Sequence, residues 1–223
     1  MLCYKKERRL AHGKCREAKS LPYALFLREF IVKSGYREKL MKLLIEKSVK
    51  YIGTADFKLA SGKMSNFYID CRKVTHNAEG KYLIGNIIFN MIKDLTIDAI
   101  GGLTLGADPI AAAVAYTSIL KKNPVNSFVV RKEQKEHGLK KLVEGDVQAG
   151  NQVVIVDDVI TTGGSTIKAI TAARAEGLAV KQVIVLVDRE EGGKEEIEKY
   201  ISTVKPLFTK TELLDTYKKA HSL

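Results

Sequence analysis

Apolar positions along the chain follow two rhythms, one of helical spacing and one of strand alternation. Leu40, Met41, Leu43, Leu44, Ile45 and Val49 share a helical face and predict an amphipathic helix ending near Gly53. Phe67-Tyr68-Ile69-Asp70 alternates and predicts a strand after a Ser61-Gly62-Lys63 turn. Ile84, Ile88, Met91 and Ile92 mark the inner face of a helix capped by Thr75 or Asn77 and running to about Lys93. Ile97 to Ile100 reads as a buried strand, and Pro109 suits the first turn of the helix that follows. Asn126 to Arg131, Val153 to Val156 and Lys181 to Asp188 are further strands. Val153 to Val156 is β-branched throughout, as in a strand buried on both faces of a parallel sheet. Ile167, Ala169, Ile170, Ala172 and Ala173 have helical spacing, and Thr209-Lys210-Thr211-Glu212 is a capping box opening a helix to about Lys219. This alternation predicts an α/β fold with a doubly wound, mostly parallel sheet.

Chemistry concentrates where Val153–Val156 ends. Asp157 and Asp158 put two carboxylates at the strand's carboxyl end, where open α/β sheets hold their ligands. Val159 and Ile160 lead into a hydroxyl- and glycine-rich turn of Thr161, Thr162, Gly163, Gly164, Ser165 and Thr166 ahead of the next helix. Such a turn offers backbone N–H groups and a helix N-terminus to an anion. Two acids beside a phosphate cradle suit a ribose 5-phosphate. An ordinary strand–turn–helix is the plain alternative, but the order of hydrophobic strand, acid pair and Thr-Thr-Gly-Gly-Ser favours the ligand. No Walker A or G-x-G-x-x-G pattern competes with it.

This run resembles the signature of type I phosphoribosyltransferases, which bind phosphoribosyl pyrophosphate (PRPP). The stretch Phe57-Lys58-Leu59-Ala60-Ser61-Gly62-Lys63-Met64-Ser65-Asn66-Phe67-Tyr68 is similar to the amino-terminal substrate hood of the orotate phosphoribosyltransferases. Arg131-Lys132-Glu133-Gln134-Lys135-Glu136-His137-Gly138 resembles their mobile catalytic loop, and Asp188-Arg189 stands where they place an orotate-binding arginine. The resemblance implies the type I fold with a small N-terminal hood near residues 57–70. It implies transfer of phosphoribosyl from PRPP to orotate, giving orotidine 5′-monophosphate (OMP) and pyrophosphate in de novo pyrimidine synthesis. PRPP would be held by Arg131, Lys132, Lys135, His137 and the run Asp157 to Ser165, with Lys135 and Asp158 catalytic. Orotate would be held by Thr161 and Arg189, whose fork matches a carboxylate. Mg²⁺ would be carried mainly on PRPP oxygens with no direct protein ligand, and a homodimer would share its basic loops between active sites. Two departures stand out. Many relatives have a PRPP-contacting lysine where this chain has Ala60, with Lys58 and Lys63 as substitutes nearby. Relatives often have Tyr-Lys in the glycine-rich loop from Gly101 to Ile110, the implied pyrophosphate site, where this chain has Gly-Ala-Asp.

Composition sharpens the picture at three points. The net charge is +11, and residues 1–35, with nine Lys/Arg against three Asp/Glu, hold +6 of it, which leaves +5 for the body. A basic body suits a polyanionic small substrate, and no aromatic-rich basic stripe points to nucleic acid. Residues 1–35 read as an extension of unassigned role before a phosphoribosyltransferase domain over 36–223. Its three acids and lack of a long apolar run argue against a secretory signal. Cys3, Cys15 and Cys71 lack metal spacing and cannot all pair, which favours a reducing, cytoplasmic setting. The longest apolar stretch, Ala99 to Leu120, is broken by Gly101, Gly102, Gly106, Asp108 and Pro109, so no membrane partner is expected. Two other functions fit parts of the pattern. A purine phosphoribosyltransferase would share the acid-pair loop without needing Arg189, and a PRPP-sensing regulator would keep that loop without needing Lys132, Lys135 and His137.

Overall fold

The computed structural model describes residues 35–51, 57–58, 64–65, 67–133 and 141–222. Helix α1 (Tyr36–Lys47) buries Leu40, Met41, Leu43, Leu44 and Ile45, the face expected from the spacing. It stops at Lys47 rather than near Gly53. Val49, placed in that helix by the sequence pattern, instead begins strand β1 (Val49–Tyr51), which pairs antiparallel with β4 (Phe67–Ile69). The β-branched and aromatic content of Val49-Lys50-Tyr51 suits a half-buried pleat, and its cross-strand partner overrides helical spacing. Strands β2 (Phe57–Lys58) and β3 (Met64–Ser65) form a second antiparallel pair, so the hood region is built of two short ribbons.

A four-residue turn of helix, α2 (Arg72–Thr75), leads to α3 (Ala78–Ile92). Of the two candidate caps, Asn77 is used: its side-chain oxygen accepts from the Gly80 N–H at 3.0 Å. Ile84, Ile88 and Ile92 are fully inside, while Met91 is half-buried. Then follow β5 (Ala99–Leu103), α4 (Asp108–Leu120) with Pro109 in its first turn, β6 (Asn126–Val130) and β7 (Val143–Gly145). The second half runs β8 (Gln152–Ile160), α5 (Gly164–Ala175), β9 (Ala179–Asp188), α6 (Gly193–Glu198), β10 (Val204–Thr209) and α7 (Lys210–His221).

The six-stranded sheet has the order β10-β9-β8-β5-β6-β7, parallel throughout except for β7. This is the predicted mostly parallel α/β sheet. The edge strands β7 and β10 were not legible in the pattern. One has three residues and the other contains Pro206, which an edge strand tolerates. The capping box is half-formed: the Thr209 hydroxyl accepts from the Glu212 N–H at 3.2 Å, but the Glu212 carboxylate accepts from Arg37 at 2.8 Å.

Central strand β8 shows how the sheet is held. Val153 and Ile155 join the core formed with α5 and α6, whereas Val154 and Val156 join the opposite core with α1, α3 and α4. All four are at most 1% exposed. Fully burying such a side chain contributes roughly 1.5–3 kcal/mol, so the strand that carries the acid pair is among the most firmly fixed segments.

Candidate active site

The period of two continues past Val156 and separates the acids. Asp157 falls on the α5 side. Its Oδ2 accepts from the hydroxyls of Ser165 at 2.8 Å and Thr166 at 2.9 Å, and its Oδ1 from the Asp158 N–H at 3.0 Å. Asp158 falls on the other side, beside Cys71 and Arg72, and its Oδ1 accepts from the Val159 N–H at 2.9 Å. Strand β8 extends to Ile160, so the acids lie within its last turn of pleat rather than after it. Burial, then the charge of Asp158, pushes the Asp157 carboxyl up to about 6. Burial also raises Asp158, against the Val159 N–H and the Arg72 charge, which pull the other way. Buried acceptors so fixed suit neighbouring hydroxyls of a sugar. Thr166 closes the hydroxyl-rich turn of the sequence pattern, but its bond to the first acid exists only because the first turn of α5 brings it under Asp157.

The acids open into a cleft of about 360 Å³ lined by Ile69 to Arg72, Leu103 to Gly106, Lys132, Asp157 to Val159 and Ser165. The turn after β5 lies directly on the pair: a Cβ at Gly106 would sit 2.6 Å from Asp158 Oδ1 and 2.8 Å from Asp157 Oδ1. Only glycine leaves room there. On the other flank, Gly163 takes φ 84 as it caps α5, a conformation open to glycine at little cost. Thr161 is half-buried and Thr162 exposed, while the Ile160 side chain is 1% exposed in the core and so is not open to a ligand.

Of the basic run, Lys132 lines the cleft, and its carbonyl accepts from the Lys168 ammonium. Arg131 lies against Glu144 of β7 at 3.4 Å and is not part of the cleft lining. Lys135 and His137 lie outside the described residues, as do Ala60 and Lys63, and Lys58 is placed by its strand backbone alone.

Arg189 follows β9 at the same end of the sheet. Its N–H donates to the Ile160 carbonyl at 3.0 Å, which sets it beside Thr161. The residue is 7% exposed, and Nε donates to Glu191 Oε1 at 3.1 Å. Its Nη2 is buried with no hydrogen-bond partner. A buried guanidinium donor left unmade is costly unless a ligand completes it. The charge of Arg189 also reaches the buried Cys71 thiol in the wall of the cleft. Burial and Asp158 push that thiol well above its ordinary range, while Arg189 acts to lower it.

Among the described residues, no group of three or more His, Cys, Asp or Glu side chains could hold a metal ion. The carboxylate oxygens of Asp157 are already engaged by Ser165, Thr166 and the Asp158 N–H, which leaves them poorly placed to take a divalent ion directly. No helix among the described residues is long and apolar enough to cross a membrane. A wider groove of about 580 Å³ lies between α3 and α4, lined by Tyr82, Tyr116, Leu120 and two lysines, with no acid.

Residues 72–214 match the phosphoribosyl transferase domain family. The chain is 48% identical to the orotate phosphoribosyltransferase of Aquifex aeolicus over 178 residues, covering 80% of this chain and 97% of the relative. It is 45% identical to that of Methanocaldococcus jannaschii over 180 residues, covering 81% and 98%. The Mycobacterium tuberculosis orotate phosphoribosyltransferase, solved in complex with PRPP, superposes with a TM-score of 0.66 at 32% identity, covering 80% of this chain and 98% of that one. With its acid-pair strand, glycine-lined cleft and buried arginine in this setting, the chain belongs to the orotate phosphoribosyltransferases.

Proposed function

We propose that this chain transfers the phosphoribosyl group of PRPP to orotate, forming OMP and pyrophosphate in de novo pyrimidine synthesis. The observation that carries this base choice is the buried, unpartnered Nη2 of Arg189 beside Thr161. Purine bases have no carboxylate to complete it; orotate does. Orotate uptake would convert an unsatisfied donor into a charge-assisted bond.

In this reading Asp157 and Asp158 hold the ribose 2′- and 3′-hydroxyls. The backbone from Val159 to Ser165 wraps the 5′-phosphate at the N-terminus of α5. As the bond from C1′ to pyrophosphate lengthens, positive charge grows on the ribose and negative charge on the leaving group. Lys132, with Lys135 and His137 from the same basic run, stabilises that leaving charge more in the transition state than in the ground state. Mg²⁺, when bound with PRPP rather than by a protein side chain, would supply further neutralisation of that leaving charge. Thr161 and Arg189 orient orotate so that its ring nitrogen meets C1′ as the pyrophosphate bond breaks. Arg131 belongs to the same PRPP-facing run, released from Glu144.

A homodimer exchanging basic runs between sites is part of the proposal, because Lys132, Lys135 and His137 form a segment too polar to pack into its own core. Mixed dimers of an inactive Lys135→Ala subunit and an inactive Asp158→Asn subunit should then regain activity; no recovery in verified mixed dimers would mean that each site is built within one chain. A reducing, cytoplasmic setting accords with Cys71, a buried free thiol. Steady-state assays with orotate, hypoxanthine and adenine test the base choice. Turnover with orotate alone is expected, and turnover with a purine base would overturn it.

A further inference from the structure

Asp70, Asp157 and Asp158 line the cleft, and the cations in its lining are Lys132 and Arg72. Arg72 opens the short helix α2 just past β4. Its backbone N–H donates to Asp70 Oδ1 at 3.2 Å and its Nε donates to the same oxygen at 2.9 Å. Asp70 is itself anchored, since its N–H donates to the Ser48 carbonyl at 3.1 Å at the base of the hood ribbon. The pair thus grips the guanidinium by its inner edge. The two terminal nitrogens make no hydrogen bond within the described protein, and the side chain is 58% exposed at the cleft. A fork held at Nε with both Nη groups presented is the geometry that takes two oxygens of a phosphate.

Position narrows the ligand group. The loop from Thr161 to Ser165 lies on the α5 side of Asp157, and Arg189 follows β9 beside Thr161. Arg72 lies instead on the Asp158 side, where its charge reaches that carboxylate, together with the Leu103–Gly106 turn. That turn carries no cationic side chain of its own. We infer that Arg72 grips the pyrophosphate of PRPP from the hood side of the cleft, and that Asp70 acts as its positioning residue. This rests on the PRPP reading above and adds the pyrophosphate contact to it.

The expected size is set by two opposing effects. A hydrogen bond to a charged group is commonly worth a factor of roughly ten to one hundred, and the neighbouring Asp70 charge tempers it, so the lower end applies. Calorimetric titration of the full chain with magnesium pyrophosphate and, separately, with OMP measures it. Arg72→Ala should weaken pyrophosphate about tenfold and leave OMP within about twofold; Arg72→Lys should recover part of the loss. Asp70→Asn should weaken pyrophosphate less, and should add nothing in the Arg72→Ala background if it works through Arg72. An unchanged pyrophosphate affinity in Arg72→Ala, or an equal loss for OMP, would overturn the assignment. A further loss on adding Asp70→Asn would remove Asp70's positioning role. If the PRPP reading itself fails, the wild-type chain binds neither ligand, a result distinct from all of these.

Discussion

The carboxyl ends of β8 and β9 are neighbours in one sheet, with Ile160 paired to Asp188, yet their polar groups are finished to different degrees. At the end of β8 the protein completes its own network: Asp157 takes two hydroxyls and a backbone N–H, and Asp158 another N–H. At the end of β9, the Arg189 guanidinium is held through Nε and keeps a buried donor, Nη2, open. The difference divides the labour. A satisfied acid pair is preorganised for neutral hydroxyls that exchange with water at small cost. An incomplete guanidinium favours an anion, because that ligand removes a standing desolvation penalty.

The largest way to break the contrast is to disturb the finished end. Gly106→Ala drives a methyl group to within 2.6 Å of Asp158 Oδ1 and 2.8 Å of Asp157 Oδ1. Overpacking of this kind costs about 1–3 kcal/mol, an effect of roughly five- to 140-fold if it falls on the bound site. The dissociation constant of PRPP should rise by that much while the chain stays folded; unchanged PRPP binding would show that the acids do not hold it.

A smaller effect concerns the charge at the same end. Asp157 titrates at about 6 in the fold against an ordinary value of 3.8, so between those limits the folded chain binds more protons than the unfolded one. Its contribution to folding is therefore lost as pH rises through that window. Asp157→Asn should melt higher than the wild-type chain at pH 8 when no ligand is present, by about 2–4 °C for each kcal/mol relieved. The gap should close below about pH 4. A gap independent of pH would assign the change to packing rather than to charge.

The smallest expected effect concerns residues 1–35. Every residue placed in the cleft lies beyond position 35, so a chain starting at Tyr36 should keep its turnover in steady-state assays. A folded truncation with most activity lost would give residues 1–35 a part in the site.

The contrast also explains what could be read from sequence. Val153 to Ser165 was legible because one buried strand, two acids and a glycine turn are consecutive, and local order alone specifies the site. Arg189 was legible as a donor at a strand end, but its open Nη2 depends on where Glu191 and Ile160 fall in space. Arg72 was not singled out. It gains meaning only when β4 pairs with β1 and carries Asp70 against the cleft, a contact set by hairpin register rather than by a motif. Val49 misled for the same reason: its helical spacing was real, but its partner, Ile69, lies twenty residues away in the chain.

The central claim, PRPP on β8 and orotate on β9, is tested most directly by comparing Asp158→Asn, through ligand binding, with Arg189→Ala, through kinetics, each against both substrates. Arg189→Ala removes a bond to a charged group worth about 1.5–3 kcal/mol. It should lower kcat/KM for orotate roughly ten- to hundredfold and leave the KM for PRPP nearly unchanged. Asp158→Asn should raise the dissociation constant of PRPP and leave that of orotate, measured on the enzyme–pyrophosphate complex, close to wild type. Losses that fall on the same substrate in both variants would contradict the division and return the base choice to the purine alternative.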